Sequence, residues 1–217
     1  YHKLLEHKTR ILRDWEKNPS LLEVLEDFNE AMARAGALLI HYRAHFVGNL
    51  APRAAQIQRD FSGDREELTL SYQTVGTVRD PLGPTVSIYK DLRAHQDSHR
   101  RAELEARSCL SGPHKDDLAA WIDGQPARQF ASQGQTRTAA LSLKLAEREL
   151  FEDDTGQWPV LLLDDVLSEL DARRQDFVLD RITGGQVFIT SCEAPAGEIS
   201  RGKILHIHQG ALVDSPN

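Results

Sequence analysis

The chain has 217 residues, 40% of them hydrophobic, and 26 basic against 33 acidic side chains give a formal net charge of −7. That is enough for one or two compact units with a core; no stretch approaches the ~20 apolar residues of a membrane span, and no basic-then-apolar signal segment opens the chain. The acidic balance excludes a chain that holds nucleic acid by bulk charge alone, and the lone Cys109 and Cys192 lack the spacing of a zinc site or a disulfide framework.

The chain opens on Tyr1, not Met, inside what reads as an amphipathic helix, so a further N-terminal part is expected upstream. Leu4, Lys8, Ile11 and Trp15 recur at helical spacing, and this helix is expected to end near Asn18-Pro19. Ser20 with Glu23 predicts a capping box for a second helix. Along that helix Leu21, Leu25, Phe28, Met32, Ala35, Leu39, Tyr42 and Phe46 form a heptad stripe, read as a core face packed against the first helix. Pro52 is expected to kink or end it. Glu67 to Val75 alternates like a strand, and the Pro81, Gly83 and Pro84 cluster marks a turn before a polar helix over Ser87 to Arg107. Its Arg93, Arg100, Arg101 and Arg107 are interleaved with Asp97, Glu103 and Glu105, the pattern of a solvated helix. Residues 1–107 therefore read as a mostly helical lobe and 108–217 as a second lobe.

In the second lobe Leu118 to Ile122 and Arg128 to Ala131 flank Asp123-Gly124 and predict a hairpin. A helix (about 133 to 152), a strand (160 to 164), a helix (172 to 182), a strand (186 to 190) and a hairpin around Gly202 to Val213 follow. Alternating helix and apolar strand marks the α/β class with a largely parallel sheet.

Two motifs carry chemistry. Val160 to Leu163 is an unbroken apolar run, expected for a strand covered on both faces, and Asp164 and Asp165 stand at its carboxyl end. Ligands bind at that end of open α/β sheets, and adjacent carboxylates repel unless a cation or hydrogen-bond donors compensate. The pair thus suits a hydrated Mg²⁺ on nucleotide phosphates; the plain alternative is one Asp capping a turn and the other facing solvent. Earlier, Ser132 falls at the N-cap of a helix and Gln135 at its third position, with Gly134 between them. A helix start with free N–H groups and a close-approach glycine suits an anion, although the same pattern also serves as an ordinary cap.

Together these segments resemble the signature, Walker B and D-loop segments of the ATP-binding-cassette (ABC) ATPase superfamily. Within it LSGPHKDDL (110–118), FASQGQTRTAALSLKLAE (130–147) and LLLDDVLSELDARR (161–174) are similar to the RecF family of bacterial DNA-repair and recombination-mediator ATPases. The resemblance implies the later part of an ABC-type head, with the sheet type of P-loop nucleotide hydrolases, on residues 108–217, and a helical arm lobe on 1–107. It implies that Asp164 supports Mg²⁺ and that Asp165 stands where transporter relatives carry the Glu that polarises the attacking water. Ser132, Gln133, Gly134 and Gln135 would meet the γ-phosphate of ATP bound by a second subunit. Ser168, Glu169, Leu170 and Asp171 would line the dimer interface, with Asp171 also capping the next helix. The implied whole is a cytoplasmic protein of DNA repair, recombination, replication and the SOS response, with no membrane partner. Its ATP-dependent homodimer would clamp double-stranded DNA at single-strand/double-strand junctions, work with RecR and RecO-type mediators, and assist RecA loading.

The departures from that pattern matter as much. No GxxxxGK[ST] occurs in these residues, so they are expected not to hydrolyse ATP by themselves. Ser191-Cys192-Glu193 follows the strand where transporter relatives place a switch His, leaving the Thr190 or Ser191 hydroxyl as candidate γ-phosphate sensor. In Gly112-Pro113-His114-Lys115, two readings stand for His114 and Lys115. They contact DNA or the partner head, or His114 caps the following strand while Lys115 pairs with Asp116. Two rival functions also stand. A transporter head carries Pro after its acidic pair where Val166 stands here, and a long coiled-coil head needs heptads well beyond Pro52. A non-catalytic module that kept the fold is the other.

Overall fold

The computed structural model describes residues 1–192 and 202–213, the Glu169 side chain excepted. The chain divides into two compact units, Tyr1–Leu150 and Phe151–Asn217.

In the first unit α1 (His2–Asp14) and α3 (Thr85–Ala106) pack on the 42-residue α2 (Leu21–Ser62). One core cluster joins Ile11, Leu12, Leu25, Met32 and Cys109; another joins Ala33, Ala37, Ile40, Val75, Val78, Ile88 and Leu92. Gly36 permits close packing there, since a Cβ would stand 3.1 Å from Leu92 and 3.2 Å from Pro113. The expected heptad stripe holds only for its first half. Leu25 and Met32 are buried, but Tyr42 is 69% and Phe46 46% exposed, and the buried line continues through Ala33, Ala37, Ile40 and Ala44. A straight helix drifts about 20° per heptad from a strict seven-residue repeat, so a stripe drawn at 3.5 residues per turn rotates off the core.

A local expectation for α2 also fails. Ser20 has helical dihedrals and makes no side-chain cap; its hydroxyl donates to Asn18 at 2.7 Å. The capping box predicted with Glu23 is therefore absent. Of the kink or stop expected at Pro52, the stop does not occur, and the helix runs on to Ser62. An interior proline costs roughly 3 kcal/mol, and burial of Leu50, Ala54, Ile57 and Phe61 on both sides of it offsets the lost backbone bond.

Strand β1 (Leu68–Gln73) pairs antiparallel with β2 (Asp117–Ile122), from Leu68 opposite Ile122 to Gln73 opposite Asp117. Asp123 and Gly124 take left-handed φ of 52° and 75°, as a two-residue type I′ hairpin requires. The returning strand is not the expected Arg128 to Ala131. It is the short β3 (Gln125–Pro126), because Pro126 offers no N–H to extend the ladder, and the chain coils into α4 (Ala127–Phe130). Next, α5 (Gln133–Thr155) buries Thr138, Ala139, Leu141, Ser142, Leu145 and Ala146, and its Ser142 hydroxyl donates to Gln58 of α2 at 2.9 Å.

In the second unit β4 (Leu161–Asp164) and β5 (Val187–Thr190) pair in parallel around α6 (Ala172–Arg181), and Trp158 lies against Gly184 and Gly185. Of β4, Leu161 and Leu163 are buried while Leu162 is 70% exposed, and Phe188 of β5 is 51% exposed. The strand expected to be covered on both faces is covered on one among the described residues, since a two-stranded sheet with one crossover helix has little else to place on its second face. The hairpin of β6 (His206–His208) and β7 (Ala211–Val213) turns at Gln209 and Gly210, both at positive φ.

A buried ion pair anchors the first unit. Lys8 Nζ lies 2.7 Å from Glu103, both side chains almost fully inaccessible, although the ammonium is off the hydrogen-bonding direction. The other Glu103 oxygen accepts from the Leu110 and Ser111 amides at 2.7 and 3.1 Å. Lys8→Met should therefore strand a buried carboxylate and lower the unfolding free energy by about 3–5 kcal/mol, read as a fall in urea midpoint. A change under 1 kcal/mol would show that the pair is not a structural tie.

Candidate functional site

The parallel register places Asp164 directly beside Thr190, at the carboxyl ends of β4 and β5. The Thr190 hydroxyl donates to Asp164 Oδ1. The Asp165 amide donates to the Thr190 carbonyl and hydroxyl oxygens, both at 3.1 Å. Asp165 itself sits in the left-handed region at φ 52°, which turns its side chain away from the strand direction. The Ser168 hydroxyl bonds Asp165 Oδ1 at 2.7 Å and Asp165 O at 2.9 Å. Two hydroxyls thus supply the donors that adjacent carboxylates need. Both acids are exposed, and Asp164 keeps Oδ2 without a hydrogen-bond partner among the described residues. One free carboxylate oxygen fits a supporting ligand for a hard cation that draws its other oxygens from phosphate and water. It is not a complete cage: among the described residues no group of three or more His, Cys, Asp or Glu could hold a metal.

The segment after the acids is a 3₁₀ turn, Leu167–Glu169. Gln175 of α6 donates to the Leu167 and Leu170 carbonyls at 2.7 and 3.1 Å and fixes the turn from below. Asp171 caps α6, its side chain accepting from the Arg174 amide at 3.0 Å, as expected. Of Ser168, Glu169, Leu170 and Asp171, the Glu169 side chain lies outside the described set, as does Glu193.

At the start of α5 the capping box is formed: Gln135 N donates to Ser132 Oγ at 3.2 Å, and Ser132 N donates to Gln135 Oε1 at 2.9 Å. The box leaves the amides of Gln133 and Gly134 with no helical partner. Ser132, Gln133 and Gly134 are exposed, and a Cβ on Gly134 would meet nothing within 4 Å. The helix start is therefore open to an anion.

The Gly112-Pro113-His114-Lys115 turn is built inward. His114 has Nδ1 2.8 Å from the Tyr1 hydroxyl and Nε2 3.1 Å from the Cys109 carbonyl, and burial holds its pKa below the ordinary range. Burial likewise pushes the Cys109 thiol up to about 11. Lys115 is exposed, and Asp116 is bonded by the Tyr72 hydroxyl, with Arg43 3.8 Å away, instead of by Lys115. Arg43 of α2 also donates to the Pro113 carbonyl at 2.6 Å. These cross-chain partners, like Gln175, carried no local sequence signal. Thr190 was legible as a candidate γ-phosphate sensor, not as a partner of Asp164.

The packed helices α1 to α3, a serine-capped helix start and a carboxylate pair closing a parallel strand match a part of an ABC-type ATPase head. Among curated proteins, the chain is 38% identical over 191 residues to the DNA replication and repair protein RecF of Symbiobacterium thermophilum, covering 88% of this chain and 50% of that protein. It is 36% identical over 228 residues to RecF of Bacillus subtilis, covering 98% of this chain and 59% of that protein. A solved structure of a recombination mediator protein, RecF-ATP in the RecFOR pathway, superposes with a TM-score of 0.84 at 31% identity, over 98% of this chain and 56% of that one. No family model matches. The chain belongs to the RecF family and spans about half the length of the curated relatives it matches. No helix among the described residues is long and apolar enough to cross a membrane.

Ser132→Ala removes one arm of the capping box and should cost about 1 kcal/mol in urea unfolding. Gly134→Ala, whose methyl enters open space in a helix, should cost nothing or stabilise slightly. The reverse order would mean that the helix start is held by contacts other than its cap.

Proposed function

We propose that this chain supplies the arm and the signature, Walker B and D-loop part of a RecF-type recombination-mediator ATPase that works as a dimer of heads around ATP. In this reading residues 1–107 act as the arm lobe and 108–217 as the later half of the head. The observation that carries it is the exposed, Ser132-capped start of α5, with amides at Gln133 and Gly134 that are unpartnered among the described residues and open space above the glycine. An exposed helix start of this kind is open to a phosphate, and the likeness to ABC-type heads supports one presented by a second copy. The RecF-ATP structure among the similar proteins supports ATP as that nucleotide.

Asp164, through its free Oδ2, would support Mg²⁺, which when bound neutralises phosphate charge. Asp165 would orient and polarise the attacking water, and Ser168 holds its carboxylate in a single orientation until the heads close. Ser132, Gln133, Gly134 and Gln135 would face the partner's γ-phosphate, and Ser168 to Asp171 would meet the partner's equivalent turn. Closure of two such heads on double-stranded DNA at a single-strand/double-strand junction, with RecR and RecO-type mediators and RecA downstream, is the cellular role this reading gives a cytoplasmic protein. Of the two basic candidates in the 114–115 turn, Lys115 is the one free to reach DNA or a partner, since His114 is committed inward.

Tests belong in the full-length protein. Asp164→Asn should lower ATP turnover by roughly two to three orders of magnitude, because phosphoryl transfer rests on placed charge; wild-type turnover would reject the metal assignment. Ser132→Arg should abolish ATP-dependent dimerisation in sedimentation while leaving ATP affinity intact. Dimers as tight as wild type would reject the trans contact.

A further inference from the structure

The hydroxyl of Thr190 has a polarity that the backbone dictates. The Asp165 N–H can only donate, so the Thr190 oxygen accepts there, and its single proton is left for Asp164 Oδ1. A hydrogen bond to an ionised carboxylate is the stronger kind, and the β-branched side chain restricts χ1 so that the donor has little freedom to leave. The neighbouring backbone reinforces the arrangement. The Thr190 carbonyl accepts from the same Asp165 amide at 3.1 Å, pinning a residue whose left-handed backbone is unfavourable without such support. Because Asp164 and Thr190 are register partners in a parallel pair, both side chains project from the same face of the sheet, at its carboxyl edge.

From this geometry we infer that Thr190 is a positioning residue for the nucleotide site: it locks the Asp164 carboxylate with Oδ1 occupied and Oδ2 presented, and it sets the angle at which Asp165 leaves the strand. This rests on the nucleotide reading above, and assigns to Thr190 a task other than sensing the γ-phosphate. A hydroxyl already donating to Asp164 has no second proton for a phosphate oxygen. Its contribution reaches the phosphates through the orientation of Asp164.

The test uses the full-length protein as wild type, Thr190→Val, Thr190→Ala, Thr190→Ser and Asp164→Asn. Mn²⁺ affinity of the ATP-bound protein is measured by electron paramagnetic resonance, ATP affinity in EDTA by fluorescence, and the Mg²⁺ concentration for half-maximal turnover by phosphate release. Val is isosteric with Thr at an exposed position, and the thermal midpoint controls for folding. The expectation is Mn²⁺ binding about 10-fold weaker in Val and Ala, as for other partners of metal-supporting groups, with a matching rise in the Mg²⁺ requirement. Metal-free ATP affinity stays unchanged, and Ser restores metal binding. Wild-type Mn²⁺ affinity in both Val and Ala, with Asp164→Asn impaired, overturns the role of Thr190 alone. Equal loss of ATP affinity in EDTA also overturns it, by placing the hydroxyl on the phosphate. Wild-type metal affinity and turnover in Asp164→Asn overturn the nucleotide reading itself.

Discussion

Like charges on successive residues at the tip of a strand are unfavourable unless something meets them, and the second unit is organised around that repulsion. Asp165 adopts a left-handed backbone, and each carboxylate is met by a hydroxyl, Asp164 by Thr190 and Asp165 by Ser168. Those two hydroxyls come from different elements, so the acids tie the end of β5 to the turn that precedes α6. Gln175 completes the circuit by holding that turn's carbonyls. Among the described residues, the Oδ2 oxygens of the two acids are what remain unpartnered.

The first unit solves a different problem, that of keeping a 42-residue helix attached. Small residues along α2 let α3 approach, while Lys8 and Glu103 join α1 to α3 and to the amides that lead into the 113–115 turn. Arg43 and Tyr72 then reach Asp116 and the Pro113 carbonyl from α2 and β1. The turn that looked like a surface motif is thus a junction where α2, the sheet and the approach to β2 meet. Its histidine is a structural hydrogen-bonding group held below its ordinary pKa by burial.

What the sequence revealed, and what it hid, divides along a physical line. Features decided within four residues were legible: the Ser132–Gln135 box, the Asp171 cap and the left-handed pair at Asp123-Gly124. The acids at the strand end were legible as chemistry because their mutual repulsion demands an answer. Features decided by distant packing were not. The buried face of α2 parted from its heptad pattern after Met32, and Pro52 was absorbed by burial on both sides. Ser20 is a local exception: its hydroxyl donates to Asn18, two residues back, in place of capping the helix. Leu162 read as core and lies in water, since an apolar run records what a strand could bury and says nothing of which face its neighbours reach.

That wet face bears on how the acids behave. Among the described residues Leu162 and Phe188 leave one face of the two-stranded sheet uncovered, and a sheet of this size gains stability when such a face is covered. Opening separates Asp164 from Thr190 and disorders both acids in one event. Whatever covers those two side chains, or occupies the carboxyl edge, binds only the closed form and therefore favours it. Protection of the sheet and affinity at its edge are two readings of one equilibrium.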